Sequence, residues 1–214
     1  MDFREPRVRG TPNPHAPCLW PSRHGEQLPF PSPLADVLER RSQRAFAVPS
    51  LGALSTLLWH TARCEETSSS PLGFDLQLRP TPSAGAIHPI HILLEHPRDR
   101  AWARYDPKTH RLEFLAEPGA LPGLRAIAAE YVAPGDGCLL FFVAELGMTA
   151  AKYENPESLV WRDAGVLQGS LALVAPRAGL SLCFLGLTGS AAAASLNEQG
   201  ELHGVGVAIV GAPL

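Results

Sequence analysis

The sequence predicts an α+β fold, a mixed sheet flanked by helices, on three observations. Gly137 to Leu146 is an almost unbroken apolar run of strand length, the pattern of a strand buried on both faces. Trp102 to Tyr105 and Leu112 to Leu115 flank Asp106-Pro107-Lys108-Thr109-His110, whose Asp-Pro opening is a turn signal, so the pair reads as a hairpin and argues against a purely parallel sheet. Asp163 to Gly179 places Ala164, Leu167, Leu171, Val174 and Ala178 on one side of the longest helix, with Gly179 as its stop. Helices and strands mix without strict alternation.

Two units follow from the punctuation. Residues 1–32 carry Pro6, Pro12, Pro14, Pro17, Pro21, Pro29 and Pro31, which forbid a continuous helix or a central strand. They read as an extended arm that wraps a neighbour or is partly disordered, with Trp20 and Phe30 as anchors. Residues 33–214 read as one domain. Ser32 and Pro33 open a helix that runs into Arg40-Arg41-Ser42-Gln43-Arg44-Ala45-Phe46. Ser50 caps a second helix with Leu51, Leu54, Leu57 and Leu58 as its stripe, fading near Cys64, and Glu65 to Ser70 reads as a polar loop. Ile90 to Glu95, Ser181 to Leu185 and Val205 to Val210 are further strands, Leu121 to Glu130 a helix, and Ser190 to Asn197 a small-residue helix.

Composition narrows the function classes. With 214 residues, 45% hydrophobic and 18% charged, the chain can bury a substantial core. A net charge of −3 gives no electrostatic footprint for nucleic acid or acidic membranes. The N-terminus lacks the apolar core of a signal peptide, and the longest apolar run, Cys138 to Ala144, is too short to span a bilayer. Cys18, Cys64, Cys138 and Cys183 are scattered without metal-ligand spacing, as in a cytoplasmic protein with free thiols, and no metal site is expected.

Three stretches carry chemistry. Arg40, Arg41, Ser42 and Arg44 cluster three guanidiniums and a hydroxyl, a donor set suited to phosphate, although a solvated basic helix end has the same composition. Arg79-Pro80-Thr81-Pro82-Ser83-Ala84-Gly85-Ala86-Ile87-His88-Pro89 enters on prolines and then sheds nearly all side-chain bulk, so that backbone groups can approach a flat ligand; a tight turn before a strand reads the same way. Lys152-Tyr153 follows the buried strand, where site residues gather. A Lys beside a Tyr stabilises the phenolate and makes a candidate proton acceptor, against the commoner reading of a loop pair with both heads in water. No GxGxxG follows a strand and no P-loop occurs.

In this order the motifs resemble those of the nitroreductase superfamily, and most closely its SagB/McbC-type dehydrogenase branch. Arg40-Arg41-Ser42-x-Arg44-x-Phe46 and Pro82-Ser83-Ala84-Gly85-Ala86-x-x-Pro89 look like the two N-terminal flavin motifs. Tyr105-Asp106-Pro107-Lys108-Thr109-His110-Arg111-Leu112 is similar to the branch's hairpin motif, and Lys152-Tyr153 to its Lys-Tyr pair. Asp163-Ala164-Gly165-Val166-Leu167-Gln168 resembles its helix start, and Gly179-Leu180-Ser181-Leu182-Cys183-Phe184-Leu185-Gly186 its later turn. The resemblance covers residues from about 34 to the end.

That resemblance implies an interwoven homodimer with FMN at the two-fold interface. Arg40, Arg41, Ser42 and Arg44 would hold the phosphate, and Pro82, Ser83, Ala84 and Gly85 of the partner subunit would line the ring. Gln168 would also bind the cofactor, and Leu185 and Gly186 would bring backbone N–H groups to the flavin's reactive edge. The implied reaction is two-electron oxidation of a thiazoline or oxazoline in a peptide to the aromatic azole, with Lys152 and Tyr153 taking the proton, FMN the hydride and dioxygen reoxidising the flavin. The peptide would come from a ribosomal or nonribosomal pathway, with a cyclising enzyme or carrier protein as partner. Against the branch's pattern, Gly169 and Val166 replace residues commonly Asn and His, and the chain stops after its last strand, so phosphate binding would rest on the N-terminal Arg cluster alone or on a further Arg that the motifs do not place. An NAD(P)H-dependent nitro- or quinone reductase and a non-catalytic binding subunit are the alternatives. The absence of an Asn-x-Gln-Pro ending after the loop lowers the first.

Overall fold

The computed structural model describes residues 40–196 and 201–214. The Pro-rich arm with Trp20 and Phe30, and the expected helix as far as residue 39, lie outside the described residues. In chain order the elements are α1 (Leu51–Ala62), β1 (Glu66–Ser68), β2 (Leu76–Leu78), a 3₁₀ turn (Ala84–Ala86), β3 (Ile90–Glu95), β4 (Trp102–Asp106), β5 (Arg111–Phe114), α2 (Leu121–Ala129), β6 (Cys138–Glu145), α3 (Leu146–Ala150), α4 (Glu157–Val174), β7 (Ser181–Leu185), α5 (Ser190–Ala194) and β8 (Leu202–Gly211). Six strands form one sheet in the order β5-β4-β3-β6-β8-β7.

The α+β expectation holds, but every neighbouring pair in this sheet is antiparallel, so it is not mixed. The crossover through α4 does join two strands of the same direction, β6 and β7. The last strand, β8, then inserts between them and pairs antiparallel with both. A reading of the chain in order sees the parallel crossover and not the later insertion.

β6 is the strand on which the sheet is assembled. Phe142, with Leu140 and Ala144, faces a layer made by α1 and α4, where Leu54, Leu57, Leu58, Val160, Ala164, Leu167 and Leu171 are buried. Phe141, with Leu139 and Val143, faces α2 and α5, where Leu121, Leu124, Ala128, Ala192 and Ala193 are buried. Full burial of a Leu or Phe contributes about 1.5–3 kcal/mol, so a strand buried on both faces contributes to both core layers at once. The hairpin of β4 and β5 closes on the Asp106 carboxylate, which accepts from the backbone N–H of Lys108 and Thr109.

Four boundaries differ from the sequence reading. Residues 40–46 carry no helix; Gln43 N–H donates to Leu182 O at 3.2 Å and Ala47 bridges Ala212, so the segment runs extended beside β7. The Arg cluster therefore lies on extended chain. Within the polar stretch after Cys64, β1 pairs with β2 in a small ribbon. All three residues of β1 are exposed, leaving no apolar alternation to read. α4 starts at Glu157 because its apolar face already includes Val160, and it ends at Val174 because Pro176 cannot continue it. β8 starts at Leu202, earlier than its apolar core suggests.

A buried carboxylate ties the far end of the sheet. Glu95 is 2% exposed; its Oε2 accepts from Arg125 Nη1 at 2.6 Å and from Leu139 N–H at 3.0 Å. Arg125 and Arg100 both donate onward to Gly137 O. Removing one partner of such a pair costs about 3–5 kcal/mol, because a charge is left buried alone. Burial pushes the adjacent Cys138 thiol up to about 11, and raises that of Cys183, so both are unreactive packing groups.

Candidate functional site

The loop before β3 is held in a conformation that few residues adopt. Gly85, Ala86 and His88 have φ of 66°, 57° and 52°. The left-handed region costs a non-glycine residue about 1–2 kcal/mol, and the loop's own bonds meet that cost. Ser83 Oγ accepts His88 N–H at 2.9 Å, Ser83 O accepts Ala86 N–H at 3.1 Å, and the His88 ring reaches Gln77 O at 2.9 Å. Burial, helped by the Arg79 cation, lowers His88 to about 4. The ring is therefore neutral, and its Nε2 must be the protonated nitrogen to donate to a carbonyl.

Asp163 is the anchor the sequence reading did not assign. It is 8% exposed on the inward face of α4, between Val160 and Leu167. Its Oδ2 accepts the Ser83 hydroxyl at 2.5 Å, and both oxygens lie 3.2 Å from Ala84 N. The signal was present in the chain: a carboxylate set within an apolar helical stripe needs buried donors.

Lys152 and Tyr153 come to the same loop. α3 turns the chain directly after β6, and Lys152 N–H and Tyr153 N–H both donate to Thr149 O. A Cβ built at Gly85 would stand 2.8 Å from Tyr153 Oη and 2.9 Å from Lys152 Nζ. Lys152 Nζ also lies 5.6 Å from the centroid of the Tyr153 ring. Gly85→Ala is expected to displace both heads, which are ends of flexible side chains, and to lower the melting temperature by roughly 2–6 °C. An unchanged melting curve would mean that the loop does not need its glycine.

The Arg cluster lies elsewhere on the same subunit. Arg40, Arg41 and Ser42 line a cleft of about 380 Å³ with Pro176, Arg177 and Leu182. Through Arg40, Ala172, Leu173 and Phe184 it continues into a shallower hollow that reaches Gln168 and Gly169. Arg44 does not line either. Leu185 and Gly186 follow Phe184 at the end of β7, and a Cβ at Gly186 would meet open space. Gln168 Nε2 donates to Val205 O at 3.2 Å, at the point where β8 bulges. Gly206 stands there with φ 154°, and a Cβ on it would lie 2.6 Å from that amide.

Two groups of predicted residues thus form, and among the described residues they line separate hollows. One is the groove of Arg40, Arg41, Ser42 and Gln168, ending toward Leu185 and Gly186. The other is Pro82, Ser83, Ala84 and Gly85 with Lys152 and Tyr153. Asp163 and Gln168, which mark the two on α4, are separated by about 7.5 Å along the helix at 1.5 Å per residue. His91, near the loop in sequence, pairs with Glu145 at 2.9 Å, and Trp161 packs on the core. Among the described residues, no three His, Cys, Asp or Glu side chains are placed to hold a metal ion, and no helix is long and apolar enough to cross a membrane.

No protein-family model and no curated protein sequence matches the chain. Solved structures do. A protein of Anabaena variabilis assigned as a nitroreductase superposes with TM-score 0.60 at 20% identity over 74% of this chain, which spans only 34% of that one. The Escherichia coli microcin synthetase McbBCD complex, with truncated pro-MccB17 bound, gives 0.59 at 18% identity, covering 87% of this chain and 76% of that one. A Desulfovibrio desulfuricans protein assigned as a nitroreductase, in complex with FMN, gives 0.52 at 15% identity, covering 84% and 85%. A six-stranded antiparallel sheet between two helical layers, matched to these neighbours over most of its length, gives the chain a nitroreductase-like fold.

Proposed function

We propose that the chain is an FMN-dependent dehydrogenase that oxidises a thiazoline or oxazoline in a peptide to the aromatic azole. The observation that carries this reading is the seat of Lys152 and Tyr153 on Gly85 of the small-residue loop, where two proton-handling groups meet a backbone shaped for a flat ligand. The groove suits FMN: two arginines and a serine line one end, Gln168 the middle, and the chain leaves open space at Gly186. When bound, the flavin supplies the two-electron acceptor for the hydride, with dioxygen as the terminal oxidant. Tyr153 Oη would take the substrate's proton with the Lys152 ammonium beside it, and Asp163 fixes the loop on which both heads are seated.

Because groove and loop lie apart on one chain, the reading places the cofactor between two subunits of a homodimer. The outward face of α4 supports this. Gly165, Val166, Gly169 and Leu173 are exposed on it, Val166 and Leu173 at 42% and 50%, and a Cβ at either glycine would meet nothing. A second helix can approach such a face closely. The McbBCD likeness supports a peptide substrate and a companion enzyme. An NAD(P)H-dependent nitro- or quinone reductase is the second reading, favoured by the assignments of the other neighbours. The test is to supply thiazoline-bearing peptides to the FMN-loaded protein. The expected product lacks two hydrogens per ring and forms with oxygen uptake; reduction of quinones by NADPH without azole formation would favour the reductase.

A further inference from the structure

The β4–β5 hairpin carries a second cluster, which shares no residue with the groove or the loop. Ser55 Oγ lies 2.8 Å from His110 Nε2, and Tyr105 Oη lies 2.8 Å from Nδ1 of the same ring. His110 has φ 52°, and its ring stands edge-on to Trp59 at 4.9 Å and to Tyr105 at 5.6 Å. Burial, with the Arg63 cation adding to it, lowers His110 below the ordinary imidazole range. Burial pushes Tyr105 up to about 12, so the phenol stays protonated. In one of the two tautomers available, Nδ1–H donates to Tyr105 Oη and Nε2 accepts the Ser55 hydroxyl, which is the arrangement of a nucleophile, a base and the group that orients it.

A cavity of about 190 Å³, walled by Leu51, Leu54, Leu58, Leu94 and Leu112, opens beside Ser55. Ser55 lies in the second turn of α1, and helical side chains lean toward the N-terminus. There the N–H groups of Leu51 and Gly52 have no acceptor within the helix, whereas those of Ala53 and Leu54 are taken by Ser50.

We propose that Ser55, His110 and Tyr105 form a second reactive centre at which small apolar carboxylic esters acylate Ser55. Ser55 Oγ forms a bond to the acyl carbon as its proton passes to His110 Nε2, leaving the negative charge on the former carbonyl oxygen. The ester C–O bond then breaks, and the departing alkoxide takes the proton from His110. Water, deprotonated by the same nitrogen, releases the acid and restores Ser55, with no change of oxidation state. Tyr105 is the positioning residue. A neutral phenol supports an imidazolium less well than a carboxylate does, so turnover is confined to activated esters.

The test treats the full-length chain with a fluorophosphonate and, separately, with p-nitrophenyl butyrate. Variants are Ser55→Ala, which puts the best helix former at an exposed helical position, and His110→Asn, which tolerates the left-handed backbone. Circular dichroism and melting verify that they fold. The expected result is one phosphonyl adduct on the peptide containing Ser55, and butyrate ester hydrolysis that falls at least tenfold in both folded variants. Absence of an adduct at Ser55 in the folded wild-type chain, which requires no variant, overturns the proposal. So does hydrolysis at the wild-type rate in the folded variants.

Discussion

Tyr153→Phe is expected to lower azoline oxidation about 10²–10⁴-fold, the range that a positioned acid or base supplies, while FMN content stays at the wild-type level. The substitution removes one oxygen, the atom 2.8 Å from the Cβ position at Gly85, and leaves the ring that fills the space. Lys152→Met should act in the same direction, because Nζ stands beside the same glycine at 2.9 Å and 5.6 Å from the centroid of the Tyr153 ring. Together the two substitutions should cost little more than either alone, as expected of groups that act as a unit. The measurement is kcat on a thiazoline peptide with flavin absorbance read on the same samples. If activity and flavin disappear in proportion, the pair holds the cofactor site together and does not handle the proton.

Asp163→Ala should be the most damaging change at the site for binding. It strands the Ser83 hydroxyl and the Ala84 N–H, each of which loses an acceptor in a half-buried position. An unsatisfied buried group costs about 1–3 kcal/mol, and at 1.4 kcal/mol per decade this translates into a loss of FMN affinity of about tenfold or more. For a chain of this size each kcal/mol also lowers the melting temperature by about 2–4 °C. Asp163→Asn keeps one carbonyl oxygen for these donors and is expected to fall between Ala and wild type. A titration with FMN and a melting curve for both variants measure this. Wild-type values in Asp163→Ala would show that the loop is held by its own bonds, through Ser83 to His88 and Ala86.

The parts of this molecule legible in its sequence are those whose signal is local. The Asp106 turn, the Ser50 cap and the two-sided apolar run of β6 each write their geometry into a few consecutive residues, and each appears where expected. The small-residue loop and the Lys152-Tyr153 pair were singled out separately in the chain, and the fold brings them together at Gly85. What escaped depends on partners distant in sequence. Arg40 to Phe46 has the composition of a helix end, yet Leu182 and Ala212 draw it out along the sheet. The direction of the sheet was decided by β8, the last strand to enter. Asp163 looked like one letter of a helix motif until its partner, eighty residues earlier, came within 2.5 Å.

The proposed dehydrogenase requires above all a bound flavin that a peptide ring, and not a nicotinamide, reduces. The visible spectrum of the purified protein, supplemented with FMN and then mixed anaerobically with NADPH, tests it most directly. The predicted result is a bound-flavin spectrum that resists NADPH and bleaches only when an azoline peptide is added. Immediate bleaching by NADPH would contradict the dehydrogenase and select the reductase. A protein that takes up no FMN at all would contradict both and leave a nitroreductase-like fold used for binding alone.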